Sequence, residues 1–325
     1  MRRREFIRAV SVAPFVWPLA TRRLSAATRI WRVGYVANYS SQVILPDYDL
    51  GKRLEDLGYV EGKNIILIAR NAGTDPKAME DTIAAVLREV DILVVYSTRL
   101  AVIARKLTTS VPTVFLSVGE PVEIGLVKSL ARPGGNMTGV SFEAAPETSA
   151  KRLQMLREMV PTLKRLAVLA ARGDPAVPLS LASMEAATKG IMSTLFEFEA
   201  GSELPPLFNA MQSRTADGLV VIAGPLTFAN LTQIAELSLL YRLPSCYAHR
   251  EAVIKGGLLS LGPDFAWITR QGAAYVDKII RGANPADLPV EQPARYQVFV
   301  NLKTAKALGL DVPSALLARA DEVIE

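Results

Sequence analysis

Short, continuous runs of apolar residues recur along this chain, and longer stretches with helical spacing separate them. Ile30-Trp31-Arg32-Val33-Gly34-Tyr35-Val36 reads as a first strand, and Asp47 to Leu57 as a helix stopped by Gly58. Asn64 to Ile68, Asp91 to Tyr96 and Pro112 to Ser117 read as three further strands. The helices between them run from Asp75-Pro76 to Arg88, with Asp75 as N-cap and Pro76 in the first turn, and from Leu100 to Leu107. Strands that are apolar throughout, joined by helical crossovers, predict a parallel sheet buried on both faces.

The turn-forming loop Pro133-Gly134-Gly135-Asn136 breaks this rhythm, and a short strand from Thr138 to Phe142 follows. The alternation then restarts. Helices are predicted at Lys151–Met159, Met184–Met192, Pro206–Arg214 and Leu226–Tyr241, and strands at Arg165–Ala170, Thr194–Glu199, Gly218–Ile222 and Pro244–Tyr247. Gly257–Leu261, a helix from Phe265 to Arg281 and Tyr296–Val300 complete the pattern. Two sequential sets of strand–helix units predict an α/β protein of two doubly wound parallel-sheet lobes. The strand at Thr138–Phe142 is the expected first crossing between lobes. On this reading 28–139 and 264–293 form lobe 1 and 140–263 forms lobe 2. The lobe of 294–325 stays open, with the second favoured. Ligands bind outside the carboxyl ends of parallel strands, so a hinged inter-lobe cleft is the expected site.

The N-terminal segment changes the picture of charge. Arg2, Arg3, Arg4 and Arg8 precede an apolar run from Ala9 to Ala20, and small residues follow at Ser25-Ala26-Ala27. That is the anatomy of an export signal, and the adjacent arginines resemble the twin-arginine subclass. A run of about 12 residues with two prolines is short for a spanning helix, which needs about 20. Cleavage is expected near Ala27, with Ala26 as the alternative, leaving a periplasmic mature protein. The chain of 325 residues is formally +5. Without the six arginines and one glutamate of residues 1–27, it holds 31 basic and 31 acidic side chains. The net charge therefore belongs to the export segment, and no basic footprint for nucleic acid is expected.

The remaining length favours two lobes over one core. One cysteine, Cys246, excludes an internal disulfide, and reads as a small buried apolar residue. One cysteine and one histidine, His249, cannot build a usual zinc site, and no calcium-spaced acidic cluster is present. No metal and no cofactor are expected.

Several segments resemble one known family. Leu57-Gly58-Tyr59-Val60-Glu61-Gly62-Lys63-Asn64-Ile65 is similar to its first signature, and Val118-Gly119-Glu120-Pro121-Val122 to another. So are the stretch from Gly125 to Gly139, which contains Ser129-Leu130-Ala131-Arg132-Pro133-Gly134-Gly135-Asn136, and Asn301-Leu302-Lys303-Thr304-Ala305-Lys306-Ala307-Leu308-Gly309. The chain is identified by these as a member of the tryptophan/tyrosine-type ABC substrate-binding family. The resemblance implies a type I periplasmic binding protein-like fold. It also implies capture of a small solute for an ABC permease in the inner membrane, without catalysis. Two departures stand out. The family usually carries Asp where this chain has Glu120, and the loop Asn38-Tyr39-Ser40-Ser41 lacks the usual Gly-containing turn. The solute therefore need not be an aromatic amino acid.

The candidate ligand contacts all follow predicted strands. Tyr39, Ser40 and Ser41 follow the first, and their hydroxyls could hold a carboxylate or simply form a turn. Ser97 and Thr98 follow the third, where N-capping is an equally good account. Gly119 and Glu120 follow the fourth: Glu120 is placed to receive an ammonium group, or to cap a helix starting at Val122. Ser141 and Phe142 lie at the expected crossing. Arg172 and Asp174, Gly224 and Pro225, and Tyr247 follow strands of the second lobe, and Asp264 either contacts ligand or caps the next helix. Trp31 and Trp267 read as packing residues, and Arg250 with Glu251 as a solvated pair.

The leading expectation is a monomeric solute-binding component of an ABC importer. An accessory of a membrane sensor would share the fold and ligand. An exported hydrolase would need His249 in a triad and has no Gly-x-Ser-x-Gly elbow.

Overall fold

The apolar runs of the first half form a five-stranded parallel sheet. The computed structural model describes residues 29–38, 49–73, 75–142, 147–174, 177–187 and 190–325. The export segment and Tyr39, Ser40 and Ser41 lie outside the described residues. Strands β1 (Trp31–Ala37), β2 (Ile65–Asn71), β3 (Ile92–Tyr96), β4 (Thr113–Val118) and β5 (Met137–Ser141) take the order β2-β1-β3-β4-β5. Every residue of β3 is buried, as a central strand covered on both faces requires. Helices α1 (Leu50–Asp56), α2 (Pro76–Leu87) and α3 (Thr98–Leu107) are the crossovers. Asp75 caps α2 by accepting from Ala78 N at 2.8 Å. Met79, Ile83 and Val86 recur at helical spacing on its buried face.

The second half builds a larger sheet. In chain order it comprises α4 (Glu147–Met159), β6 (Arg165–Ala171), α5 (Val177–Ala187), β7 (Met192–Phe198), α6 (Leu204–Ser213), β8 (Gly218–Val221), α7 (Pro225–Ala229), α8 (Leu231–Leu240), β9 (Ser245–Tyr247), α9 (Arg250–Ile254) and β10 (Leu259–Pro263). After α10 (Phe265–Ile280) come β11 (Tyr296–Asn301), α11 (Leu302–Leu308), α12 (Ser314–Leu317) and β12 (Glu322–Ile324). The strand order is β12-β11-β10-β9-β8-β6-β7, parallel except for the antiparallel pair β10–β11. Helix α10 leaves this sheet and packs Phe265, Ile268, Ala273, Val276 and Ile279 into the core of the first. The following segment stays with it: Glu291 N donates to Gly139 O, and Ser141 N to Glu291 O. The chain thus passes between the sheets after β5, after β10 and before β11.

Some elements differ from the sequence expectation. The single helix expected over Leu226–Tyr241 is two helices. Asn230 separates them, and its side-chain amide donates to Leu226 O at 2.8 Å, competing with the backbone ladder. No helix starts at Val122; one turn closes from Leu126 N to Pro121 O and ends at Gly125, φ +71°. The helix expected over Met184–Met192 lies earlier, at Val177–Ala187, and Met192 already opens β7. The three-residue edge strand β12 was not expected at all.

Three of the four family-like segments are frame; the other, 118–122, enters the cleft through Gly119 and Glu120. In the first, Asn64 Oδ1 accepts from Val60 N at 2.6 Å, Glu61 Oε2 from Leu67 N at 3.0 Å, and Tyr59 reaches Asp277 on α10 at 2.8 Å. In the middle segment Asn136 Nδ2 donates to Val111 O at 2.8 Å. A Cβ on Gly139 would stand 1.9 Å from Phe115 O, so only glycine lets β5 approach β4 so closely. In the last, Asn301 caps α11 through Thr304 N and also donates to Val253 O, while Gly309 closes the helix left-handed at φ +73°.

Candidate functional site

The carboxyl ends of β3 and β4 face those of β6, β8 and β9 across a cavity of about 70 Å3, room for several waters or a small solute. The first lobe supplies Ser97, Thr98, Ser117, Gly119 and Glu120. Three of these are backbone outliers: Ser97 has φ 131°, Ser117 57° and Glu120 43°. Only two other described non-glycine residues have positive φ, Thr215 and Arg242. Each such residue costs about 1–3 kcal/mol, and such strain concentrates at ligand clamps. The loop is also tied internally, since Gly119 N donates to Thr98 Oγ1 at 3.1 Å and Ser97 Oγ accepts from Leu100 N.

The second lobe supplies a different surface. Asp174 follows β6 and lies against the backbone of Gly224 after β8, where a Cβ would come 2.9 Å from its Oδ2. Thr227, buried, holds that turn through Ile222 O and Gly224 O. Pro225 and the half-buried Phe228 continue the wall. Phe142, just past β5, and His249, just past β9, close it. The imidazole of His249 stacks on Phe265 at 4.5 Å, meets Phe228 edge-on at 4.9 Å and lies 6.3 Å from Phe142.

One buried cation reaches the same cavity. Arg152, on α4, is 2% exposed; its Nε donates to Leu261 O at 2.8 Å, and its guanidinium stands 5.7 Å from the Phe142 ring. Burial first, and the Arg152 charge second, hold the His249 pKa down at about 3. The imidazole is therefore neutral at any physiological pH. The arrangement offers carboxylates from opposite lobes, a buried guanidinium and an aromatic wall. That combination suits a small solute with both charged and flat apolar parts.

Of the residues singled out from sequence, Ser97, Thr98, Gly119, Glu120, Phe142, Asp174, Gly224 and Pro225 line this cavity. Ser141, Arg172, Tyr247 and Asp264 do not. Ser141 is fully buried within β5. Tyr247 is fully buried on the far side of its sheet, with its hydroxyl 3.2 Å from Ser238 on α8 and its pKa pushed up to about 12 by burial. Asp264 caps α10 through Trp267 N and pairs with Arg270 at 3.3 Å. Arg172 sits at the rim, where its guanidinium pairs with Glu199 and Glu203 and its carbonyl accepts from Arg99 Nη2 of the other lobe at 2.8 Å. Arg152, Ser117, Ser180, Phe228 and His249 line the cavity and were not singled out for it. Cys246 is buried, its thiol pKa raised to about 12 by desolvation. Among the described residues no cluster of three His, Cys, Asp or Glu side chains could hold a metal ion, and no helix is long and apolar enough to cross a membrane.

Comparison with known proteins identifies the family. The family described as ABC transporter substrate binding protein matches residues 49–324. The chain belongs to that family. A Tyrosine-binding protein of Clostridioides difficile (strain R20291) is 27% identical over 274 residues, which cover 81% of this chain and 76% of that protein. A conserved domain protein of Vibrio cholerae shares the fold with a TM-score of 0.82 at 24% identity, covering 90% of this chain and 99% of that one. An ABC domain in complex with L-Trp from Streptococcus pneumonia does so with a TM-score of 0.80 at 22% identity, at the same coverage. The two parallel-sheet lobes described above are thus the fold of substrate-binding proteins, and the family binds small ligands.

Proposed function

We propose that this chain is the periplasmic solute-binding component of an ABC importer. It is exported by its N-terminal segment and captures an amino acid or a related small carboxylate as a monomer. The observation that carries the reading is the composition of the cleft: Glu120 and Asp174 come from opposite lobes, and the buried Arg152 lines the same cavity. A zwitterion uses both signs of charge, its ammonium toward the carboxylates and its carboxylate toward the guanidinium. The aromatic wall of Phe142, Phe228 and His249 suits a flat side chain, and the tyrosine- and tryptophan-binding relatives point the same way. Contact residues from both lobes make ligand binding and lobe closure one event, and the closed form is what the permease docks. The function is binding without catalysis. Supporting this, the imidazole of His249 is packed among phenylalanines, with a pKa far too low for a general base at neutral pH.

A thermal-shift screen of the mature protein against the twenty amino acids tests the reading. A native-state ligand raises the melting temperature by mass action. At least one amino acid is expected to do so, with calorimetry confirming one site per chain. Silence across the panel, with stabilisation by a sugar or a polyanion instead, overturns the amino-acid assignment.

A further inference from the structure

His249 is the one histidine of the chain, and its position is unusual. The ring lines the cavity, yet Nδ1 is shut off from solvent and has no hydrogen-bond partner among the described residues. The rings around the imidazole, Phe265, Phe228 and Phe142, offer no acceptor. A neutral imidazole carries one proton, on Nδ1 or on Nε2. A proton on Nδ1 would be a buried N–H with nothing to donate to, the rarer and costlier kind of orphan. A bare Nδ1 lone pair among aromatic carbons is the lesser penalty. The proton therefore belongs on Nε2, the other ring nitrogen, which is not among the buried unpartnered atoms.

We propose that His249 is a specificity-determining residue: its Nε2–H donates a hydrogen bond to an acceptor on the part of the solute lodged against Phe142 and Phe228. This rests on the amino-acid reading above, and it narrows that reading to side chains with a flat apolar body and a polar atom on it. The surrounding phenylalanines make the donor selective. A solute without an acceptor leaves a desolvated N–H unpaired, and sites of this kind discriminate against the analogue that lacks the polar atom. The same phenylalanines offer the donor no alternative partner.

Tyrosine and phenylalanine are the probes, because they differ by the one oxygen. Calorimetry on the mature protein is expected to show tyrosine preferred by about ten-fold or more. In His249→Phe that ratio should collapse towards one, and in His249→Gln, which keeps an N–H donor, part of it should survive. Thermal melts of both variants establish that they fold. Independently of any ligand, 15N NMR of the tag-free protein reads the tautomer of this single imidazole. Nε2–H at neutral pH is expected. An Nδ1–H tautomer, or an equal loss of both ligands in His249→Phe, overturns the role of His249 while leaving the amino-acid reading intact. Failure of every amino acid to bind the wild type overturns that reading, and the tautomer then decides the placement of the donor by itself.

Discussion

Between β4 and the end of β5 the chain carries two residues that break ordinary rules, in opposite ways. Gly139 has no side chain because there is no room for one: Phe115 O occupies the place of its Cβ. Glu120 keeps its side chain although its backbone, at φ 43°, would be easier for glycine. Both belong to family-like segments, but the first holds two strands together. The second lies in the cleft and accepts strain to aim a carboxylate. In the frame, odd residues serve packing; in the cleft, the backbone is bent to serve side chains.

This contrast can be tested from both ends. Gly139→Ala should be the most damaging change, costing about 4 kcal/mol or more, because a backbone atom must move; a denaturant midpoint would read it. A wild-type midpoint would dissolve the frame side of the contrast. The next effect is one of pH. The unfolded chain protonates its histidine near 6.5, whereas folded His249 waits until about 3. The unfolded state therefore binds the extra proton in that window, so stability present above 6.5 is lost as the pH falls towards 3. Between pH 6 and 4 this amounts to about 2–3 kcal/mol. His249→Phe should flatten that part of the acid slope, and an unchanged slope would place the titrating group elsewhere. Third, Glu120→Ala should weaken binding of the proposed amino-acid ligand by about 1.5–3 kcal/mol while leaving the melting temperature of the free protein nearly unchanged, the reverse of the Gly139 result. Fourth, Gly224→Ala places a methyl group 2.9 Å from Asp174 Oδ2 and should cost about 1 kcal/mol of affinity with a smaller effect on stability. The smallest expected change is Ser117→Gly, which relieves φ 57° and should stabilise the free protein by less than about 1 kcal/mol.

The two regions were not equally legible in the sequence. The strands β1, β3, β4, β6 and β8 announce themselves because burial on both faces requires unbroken apolar runs. The rule that ligands lie beyond strand ends reaches Ser97, Glu120, Asp174 and Gly224 without any structure. It fails where direction matters. Tyr247 ends β9 and His249 lies two residues further on, and only packing tells that the phenol turns to α8 while the imidazole turns to the cavity. The clue to Arg152 was present: it keeps helical step with Met155, Leu156 and Met159, an arginine on a buried stripe. Phe228 sat inside what read as one long helix, and the break at Asn230 frees the short helix that carries it. Of the family-like segments, the loudest signals in the chain, three mark where the frame is held together, and only 118–122 reaches the cavity.

The bond from Arg99 to the carbonyl of Arg172 has a consequence in time. It joins the lobes through two residues that do not line the cavity. On the proposed hinge motion the cleft opens only when this bond breaks, and its acceptor is main chain, independent of any side chain of the second lobe. A substitution at Arg99 therefore acts on the dwell time of any captured solute, through the dissociation rate, and leaves the choice of solute to the residues within.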